Sequence, residues 1–246
     1  MRKLLTLLAG LALSAGLAFA QDRAIDLEDL EEFNKFRFGS GSRVEAKLEV
    51  AFPMYFGNTV LTNINYKGEW APLKAMDFLD MNVRKSFVFG LEVASVHIKS
   101  AGGPFEASLG ARWTFMDYTF ANSAISMEKV GGICVPYYIV AAGYDGRKSK
   151  IHANYFGVPL RLALNYSRFT VYVGGSAEVL VGSYTKYKFP KTRQEITGLF
   201  NRFRATVEGG FSYGNLGLYV QYGLTPVFSE MLSDARSVTI GILLGL

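Results

Sequence analysis

Residues 43–56 read Arg-Val-Glu-Ala-Lys-Leu-Glu-Val-Ala-Phe-Pro-Met-Tyr-Phe. Every even position is apolar, and the odd positions from Arg43 to Glu49 (Arg43, Glu45, Lys47 and Glu49) are all charged. Successive side chains leave a β-strand on opposite sides, so a period of two with one apolar and one wet face predicts a strand. A soluble sandwich shows the same alternation with its apolar face on a core. The charge on the other face favours the reverse arrangement, with lipid outside and a polar lumen inside.

Seven further stretches carry the same period: 86–99, 104–117, 150–166, 169–187, 199–213, 216–228 and 236–246. Their connections alternate in length. The long ones are 57–85, 118–149, 188–198 and 229–235; the short ones are 100–103, 167–168 and 214–215. An even number of strands with alternately short and long connections is the pattern of an outer-membrane barrel, whose periplasmic turns are short and external loops long. The predicted fold is therefore all-β: a transmembrane antiparallel up-and-down barrel of eight strands over 43–246, both termini periplasmic. Pairing of 59–65 with 77–83 as an extra hairpin would make ten strands. Aromatic residues collect at strand ends on the apolar face. Phe56, Phe87, Trp113, Phe115, Phe156, Phe203 and Tyr222 mark an outer rim, and Phe105, Tyr166, Phe169, Phe211 and Tyr213 an inner one.

The front of the chain fits that destination. Arg2 and Lys3 precede an apolar run, and Ala18-Phe19-Ala20 forms a small-residue cleavage site, so residues 1–20 read as a signal peptide. Residues 21–42 are acidic, with Leu27, Leu30, Phe33 and Phe36 at helical spacing, and read as a periplasmic segment with a short helix or flexible arm. The formal net charge of +5 falls to +3 once Arg2 and Lys3 leave, an excess too modest to argue for nucleic acid. Cys134 is the single cysteine, so no intrachain disulfide forms.

The inward face collects Glu45, Lys47, Glu49, Glu92, Glu106, Arg112, Arg161, Glu178, Arg202, Arg204 and Glu208, with the two signs nearly balanced. An eight-stranded barrel is only wide enough to be filled by side chains. Buried charges there must pair, so the expectation is an ion-pair network that closes the lumen rather than a pore. Paired carboxylates such as Glu45 and Glu49 belong to that network rather than to acid–base chemistry. His97 and His152 fall at opposite ends of the barrel, and neither has metal-ligand spacing around it. No catalytic, cofactor or metal site is expected. The enzymatic alternative, lipid modification at the outer leaflet, would rest on His152 and Ser149. Lys186, Lys188, Lys191 and Arg193, near Tyr184 and Tyr187, form a basic rim suited to lipopolysaccharide phosphates. The loop segment 131–140 is unusually apolar, and reads as a lid on the barrel mouth, as a partner-binding surface or as a strand extension above the membrane.

The second half of the chain, roughly residues 85–246, resembles the small outer-membrane β-barrel family common in Bacteroidetes, which includes PorT-like barrels. The resemblance is carried by Ser149-Lys150-Ile151 leading to Val158-Pro159-Leu160-Arg161-Leu162, and by the hairpin 169–188 with Gly174-Gly175 and Tyr184-Thr185-Lys186-Tyr187. Leu218 to Phe228 and the closing Val238-Thr239-Ile240-Gly241-Ile242 complete it. It implies architecture and compartment, an outer-membrane barrel, rather than an activity. The signal peptide, the eight alternating stretches and the alternating connections lead to the expectation of a structural or interaction role: envelope integrity, surface adhesion or an accessory subunit. Outer-membrane lipid and lipopolysaccharide are the expected partners, with an envelope protein as a further one. A PorT-like part in protein secretion is the alternative that the resemblance implies.

Overall fold

The computed structural model describes residues 44–49, 53–100, 103–140, 148–188 and 191–245, and for 44–49 the backbone only. The expected signal peptide and N-terminal segment lie outside the described residues.

The chain forms β1 (Val44–Glu49), β2 (Met54–Thr62), β3 (Phe87–Ser100), β4 (Phe105–Thr119), β5 (Ile125–Val130), β6 (Ile133–Tyr138), β7 (Ser149–Tyr166), β8 (Phe169–Tyr187), β9 (Thr192–Glu195), β10 (Phe203–Tyr213), β11 (Leu216–Gly223) and β12 (Arg236–Leu244). Eight of these, β2, β3, β4, β7, β8, β10, β11 and β12, pair antiparallel in that order. The ring closes where β12 returns to β2, with Arg236 opposite Thr62 and Leu244 opposite Met54. Closure leaves none of these eight strands as the edge of an open sheet, so their ladder groups pair around the ring. The strand β1 continues the line of β2 down β3, from Glu49↔Ser95 to Val44↔Ser100. The hairpin β5–β6 stands off the barrel, and β9 adds to the outer part of β8.

The predicted strand 43–56 is thus interrupted rather than continuous. Glu49 faces Ser95 and Met54 faces Leu91, so the first strand carries one residue more than β3 between those points. Pro53 lies at this step. It has no amide hydrogen to give, and its carbonyl accepts the Glu92 amide at 3.0 Å. The strand also runs on to Thr62, where a loop was expected from residue 57. Beyond it, Gly68–Met76 is a 3₁₀ helix, so residues 59–65 and 77–83 do not make an extra hairpin and the wall keeps eight strands.

Two bulges reset the side-chain phase. On β3 the register passes from Glu92↔Arg112 to Ala94↔Ala111, leaving Val93 unpaired; Glu92 and Ser95 then both face inward. Between β7 and β8 it passes from Asn154↔Gly182 to Tyr155↔Leu180, leaving Val181 unpaired. With those resets, apolar side chains line the outside of the wall: Leu162 is 58% and Ile240 63% exposed. Phe56, Phe89, Phe115, Trp113 and Phe156 touch in sequence around it, with ring centroids 5.0–6.1 Å apart. Phe169 and Phe211 meet at 6.1 Å near the short-turn end.

Candidate functional site

Inside the wall, β3, β4, β7, β8 and β10 each deliver inward charge at one level. Arg112 is bidentate to Glu208, Nη1 to Oε2 at 2.7 Å and Nη2 to Oε1 at 2.8 Å. Arg161 donates from Nε to Glu208 Oε1 at 2.8 Å and from Nη1 and Nη2 to Glu92 at 3.2 and 2.6 Å. Arg204 donates to Glu178 and, at 2.7 Å, to Gln221 Oε1, while Gln221 Nε2 donates to Glu208 Oε2 at 3.1 Å. Glu178 also accepts from Ser176 at 2.8 Å and Thr114 at 3.3 Å. The Arg112 guanidinium lies 4.4 Å from the ring centre of Tyr55, and Arg161 lies 5.8 Å from that of Tyr172. All six charged residues are buried. Three guanidiniums against three carboxylates make the cluster neutral, which lets it persist in a medium that would expel an unpaired charge.

Of the residues expected in this network, Glu92, Arg112, Arg161, Glu178, Arg204 and Glu208 are brought together. Glu106 faces inward as expected but forms a separate group nearer the short turns. It accepts from Asn165 at 2.6 Å, pairs with Lys99 at 3.3 Å and bonds His97, whose Nε2 stands 2.7 Å from Ser95 Oγ. Arg202 is corrected: it is exposed, one residue before β10 begins. Strand pairing with β8 begins at Phe203↔Val179, so the alternation of β10 does not dictate which way residue 202 faces. The side chains of Glu45, Lys47 and Glu49 lie outside the described residues. Gln221 and the buried tyrosines were not anticipated as members; their alternation places them inward, but nothing in a strand pattern shows which neutral groups link the charges.

Above the network the mouth is filled by a second layer. Trp70, on the 3₁₀ helix Gly68–Met76, is fully buried and donates from Nε1 to the Cys134 carbonyl at 2.7 Å. Its ring meets Phe78 at 4.9 Å and Phe228 at 5.3 Å, and Phe228 meets Phe200 at 5.7 Å. Ile125, Met127 and Cys134 of the β5–β6 hairpin pack into the same cluster. The apolar segment 131–140 therefore holds the turn and second strand of a hairpin that packs over the mouth, as the lid reading expects; it is not an extension of a barrel strand, because β5 and β6 pair only with each other in a sheet of their own. Outside the barrel strands, burial pushes the Cys134 thiol above its ordinary range.

On the outer wall, His152 bonds Asp117 at 2.6 Å and Asn154 at 2.6 Å, and stacks on Tyr184 at 4.4 Å. Ser149 lies three residues back, an odd offset, so it faces the interior, where it is fully buried. The two groups are on opposite sides of the sheet and cannot act as nucleophile and base. Lys186 pairs directly with Arg193 across β8–β9, while Lys188 and Lys191 are exposed at that hairpin's turn. Among the described residues no three His, Cys, Asp or Glu side chains converge to hold a metal ion.

These features define a closed eight-stranded antiparallel β-barrel whose interior is filled by a neutral ion-pair cluster and capped by an apolar layer. The sequence matches no protein-family model and no curated protein. Among solved structures it is similar to Neisserial surface protein A, at 8% identity over 81% of this chain and 99% of that one, with a TM-score of 0.38. The barrel assignment rests on this chain's own strand pairing.

Proposed function

We propose that this chain is a bacterial outer-membrane protein that works as a sealed, membrane-embedded scaffold, of use in envelope integrity, adhesion or as an accessory subunit. The observation that carries the reading is the combination of an apolar outside with a plugged inside. A wall that exposes Leu160, Leu162, Val173, Val220 and Ile240 in one continuous sheet is unsuited to water and suited to hydrocarbon. Among the described residues no helix is long and apolar enough to cross a membrane, so strands carry the span. At 18 and 19 residues, β7 and β8 exceed the roughly 9–11 residues a tilted spanning strand needs. The excess lifts the cap clear of the lipid, where a partner can reach it. In this reading the short turns face the periplasm.

Three measurements test it. The refolded barrel should migrate anomalously on gels until boiled, and should stay with vesicles through alkaline carbonate extraction. In planar bilayers it should pass no more current than the lipid alone. Stable ohmic steps would refute the sealed lumen, and extraction by carbonate would refute the membrane assignment.

A further inference from the structure

Strand register sets three cations side by side on the outer wall. Lys150 on β7 is directly opposite Lys186 on β8, and Lys186 is directly opposite Arg193 on β9. They share the outward face: Ile151 beside Lys150 is fully buried, Lys150 Nζ stands 6.0 Å from the exposed ring of Phe87, and Arg193 lies 4.0 Å over Tyr184. Like charges placed directly opposite one another destabilise a strand pair, so the row is unfavourable without a counter-anion. Asp117, bonded to Lys150 and His152, supplies one at the β4 end, and Glu195 is opposite Tyr184 in the row below. Burial, together with the ammonium groups of Lys150, Lys188 and Lys85, holds the Lys148 amine below its ordinary range.

Height adds the second constraint. The row below contains Phe87, His152 and Tyr184, and beneath that Phe115 and Phe156 join the aromatic belt. Aromatic belts mark the boundary between hydrocarbon and headgroups. Cations one row above such a belt stand at headgroup level, and lysine and arginine recognise phosphate through charge-assisted hydrogen bonds.

We propose that the outer wall of β7, β8 and β9 is a binding ledge for the phosphate monoester of an outer-leaflet glycolipid, held by Lys150, Lys186 and Arg193. The ledge rests on the membrane reading above, since only a membrane-embedded wall presents lipid phosphate at that height. The acyl chains would then lie down the belt of Phe115, Trp113 and Phe156.

The test uses the full barrel reconstituted in phosphatidylcholine vesicles and titrated with lipid A. A triple variant, Lys150→Gln with Lys186→Gln and Arg193→Gln, is compared with wild type and with Lys129→Gln on the cap. Wild type and Lys129→Gln should bind alike, and the triple variant about tenfold or more weakly, the weight of one charge-assisted hydrogen bond. Lys186→Gln and Arg193→Gln remove like charges, whereas Lys150→Gln also takes a partner from the buried Asp117; if the triple variant fails to insert, Lys186→Gln alone serves, with a smaller loss expected. Undiminished binding by an inserted variant would overturn the ledge while leaving the membrane reading intact. Equal binding of dephosphorylated lipid A would overturn phosphate recognition. Displacement of lipid A by inorganic phosphate at matching concentration would reassign the row to a soluble anion. Failure of wild type to remain in vesicles would instead sink the membrane reading itself.

Discussion

Glu208 is the carboxylate on which the lumen cluster turns, and Glu208→Gln is the most informative single change. Its two oxygens accept four hydrogen bonds: Arg112 Nη2 and Arg161 Nε on Oε1, Arg112 Nη1 and Gln221 Nε2 on Oε2. Glutamine keeps the shape but turns one oxygen into a donor facing other donors, and leaves three guanidiniums against two carboxylates. At about 1.5–3 kcal/mol for each bond to a charged group, the four give a ceiling of about 6–12 kcal/mol. The loss will be smaller because Arg112 has somewhere to go: its Nη2 is already 3.9 Å from Glu92 Oε2 and can close on it. The expected destabilisation is about 3–5 kcal/mol, the usual range for breaking a buried pair from one side. Urea unfolding in lipid vesicles, followed by tryptophan fluorescence, measures it. The paired variant Arg112→Gln with Glu208→Gln restores neutrality, so its loss should fall short of the sum of the single losses by more than about 1 kcal/mol. A single-variant loss under about 1 kcal/mol, or simple additivity in the double variant, would refute the claim that these charges form one coupled cluster.

Three further predictions concern the cap and the seam. Trp70→Ala removes a fully buried ring and should cost about 3–5 kcal/mol, felt locally. Amide exchange should quicken in Gly68–Met76 and the β5–β6 hairpin while the wall strands stay protected, and uniform quickening would contradict a separate cap. The same substitution should speed alkylation of Cys134, whose raised pKa and burial make the thiol slow to react at neutral pH; equal rates in both proteins would contradict that shielding. At the closing seam, a Cβ on Gly241 would run into the carbonyl oxygen of Phe56, whereas one on Gly209 would sit 3.6 Å from its nearest neighbour, the Tyr172 carbonyl oxygen. Gly241→Val should therefore lose the heat-modifiable form and Gly209→Ala keep it, as read on unboiled gels.

The wall was legible in the sequence because a period of two survives translation into a sheet almost unaltered. Leu160, Leu162, Val171 and Val173 face outward, and Arg161, Tyr172 and Glu208 inward, as alternation requires. The six clustered charges could be named for the same reason. Alternation fails where the register slips: at Val93 and Val181 the phase resets, and only pairing between strands reveals a bulge. It also fails at strand ends, which is why Arg202 was misplaced and β2 runs six residues further than expected. The cap was least legible. Trp70 and Phe78 come from one loop and Phe200 and Phe228 from two others, with no shared period, and what makes them a core is a three-dimensional meeting that no local pattern encodes. Their one visible signal was an excess of large apolar residues in loops that ought to be wet.

That meeting sets an order of events during assembly. The cap draws on segments as far apart as Trp70 and Phe228, and the ring that holds them closes only when Met54–Thr62 finds Arg236–Leu244, about the longest separation the chain offers. Contacts of such range form slowly, because the entropy of closing the loop comes before any gain. Until then the aromatic rings of the cap stay uncovered, in an aqueous space, beside a wall that is itself apolar. The unclosed chain is thus its own most aggregation-prone form, and a holding chaperone would find its footholds in these loops as well as in the strands. Once the seam zips, the cap condenses over it, and reopening the barrel then requires both to give way together.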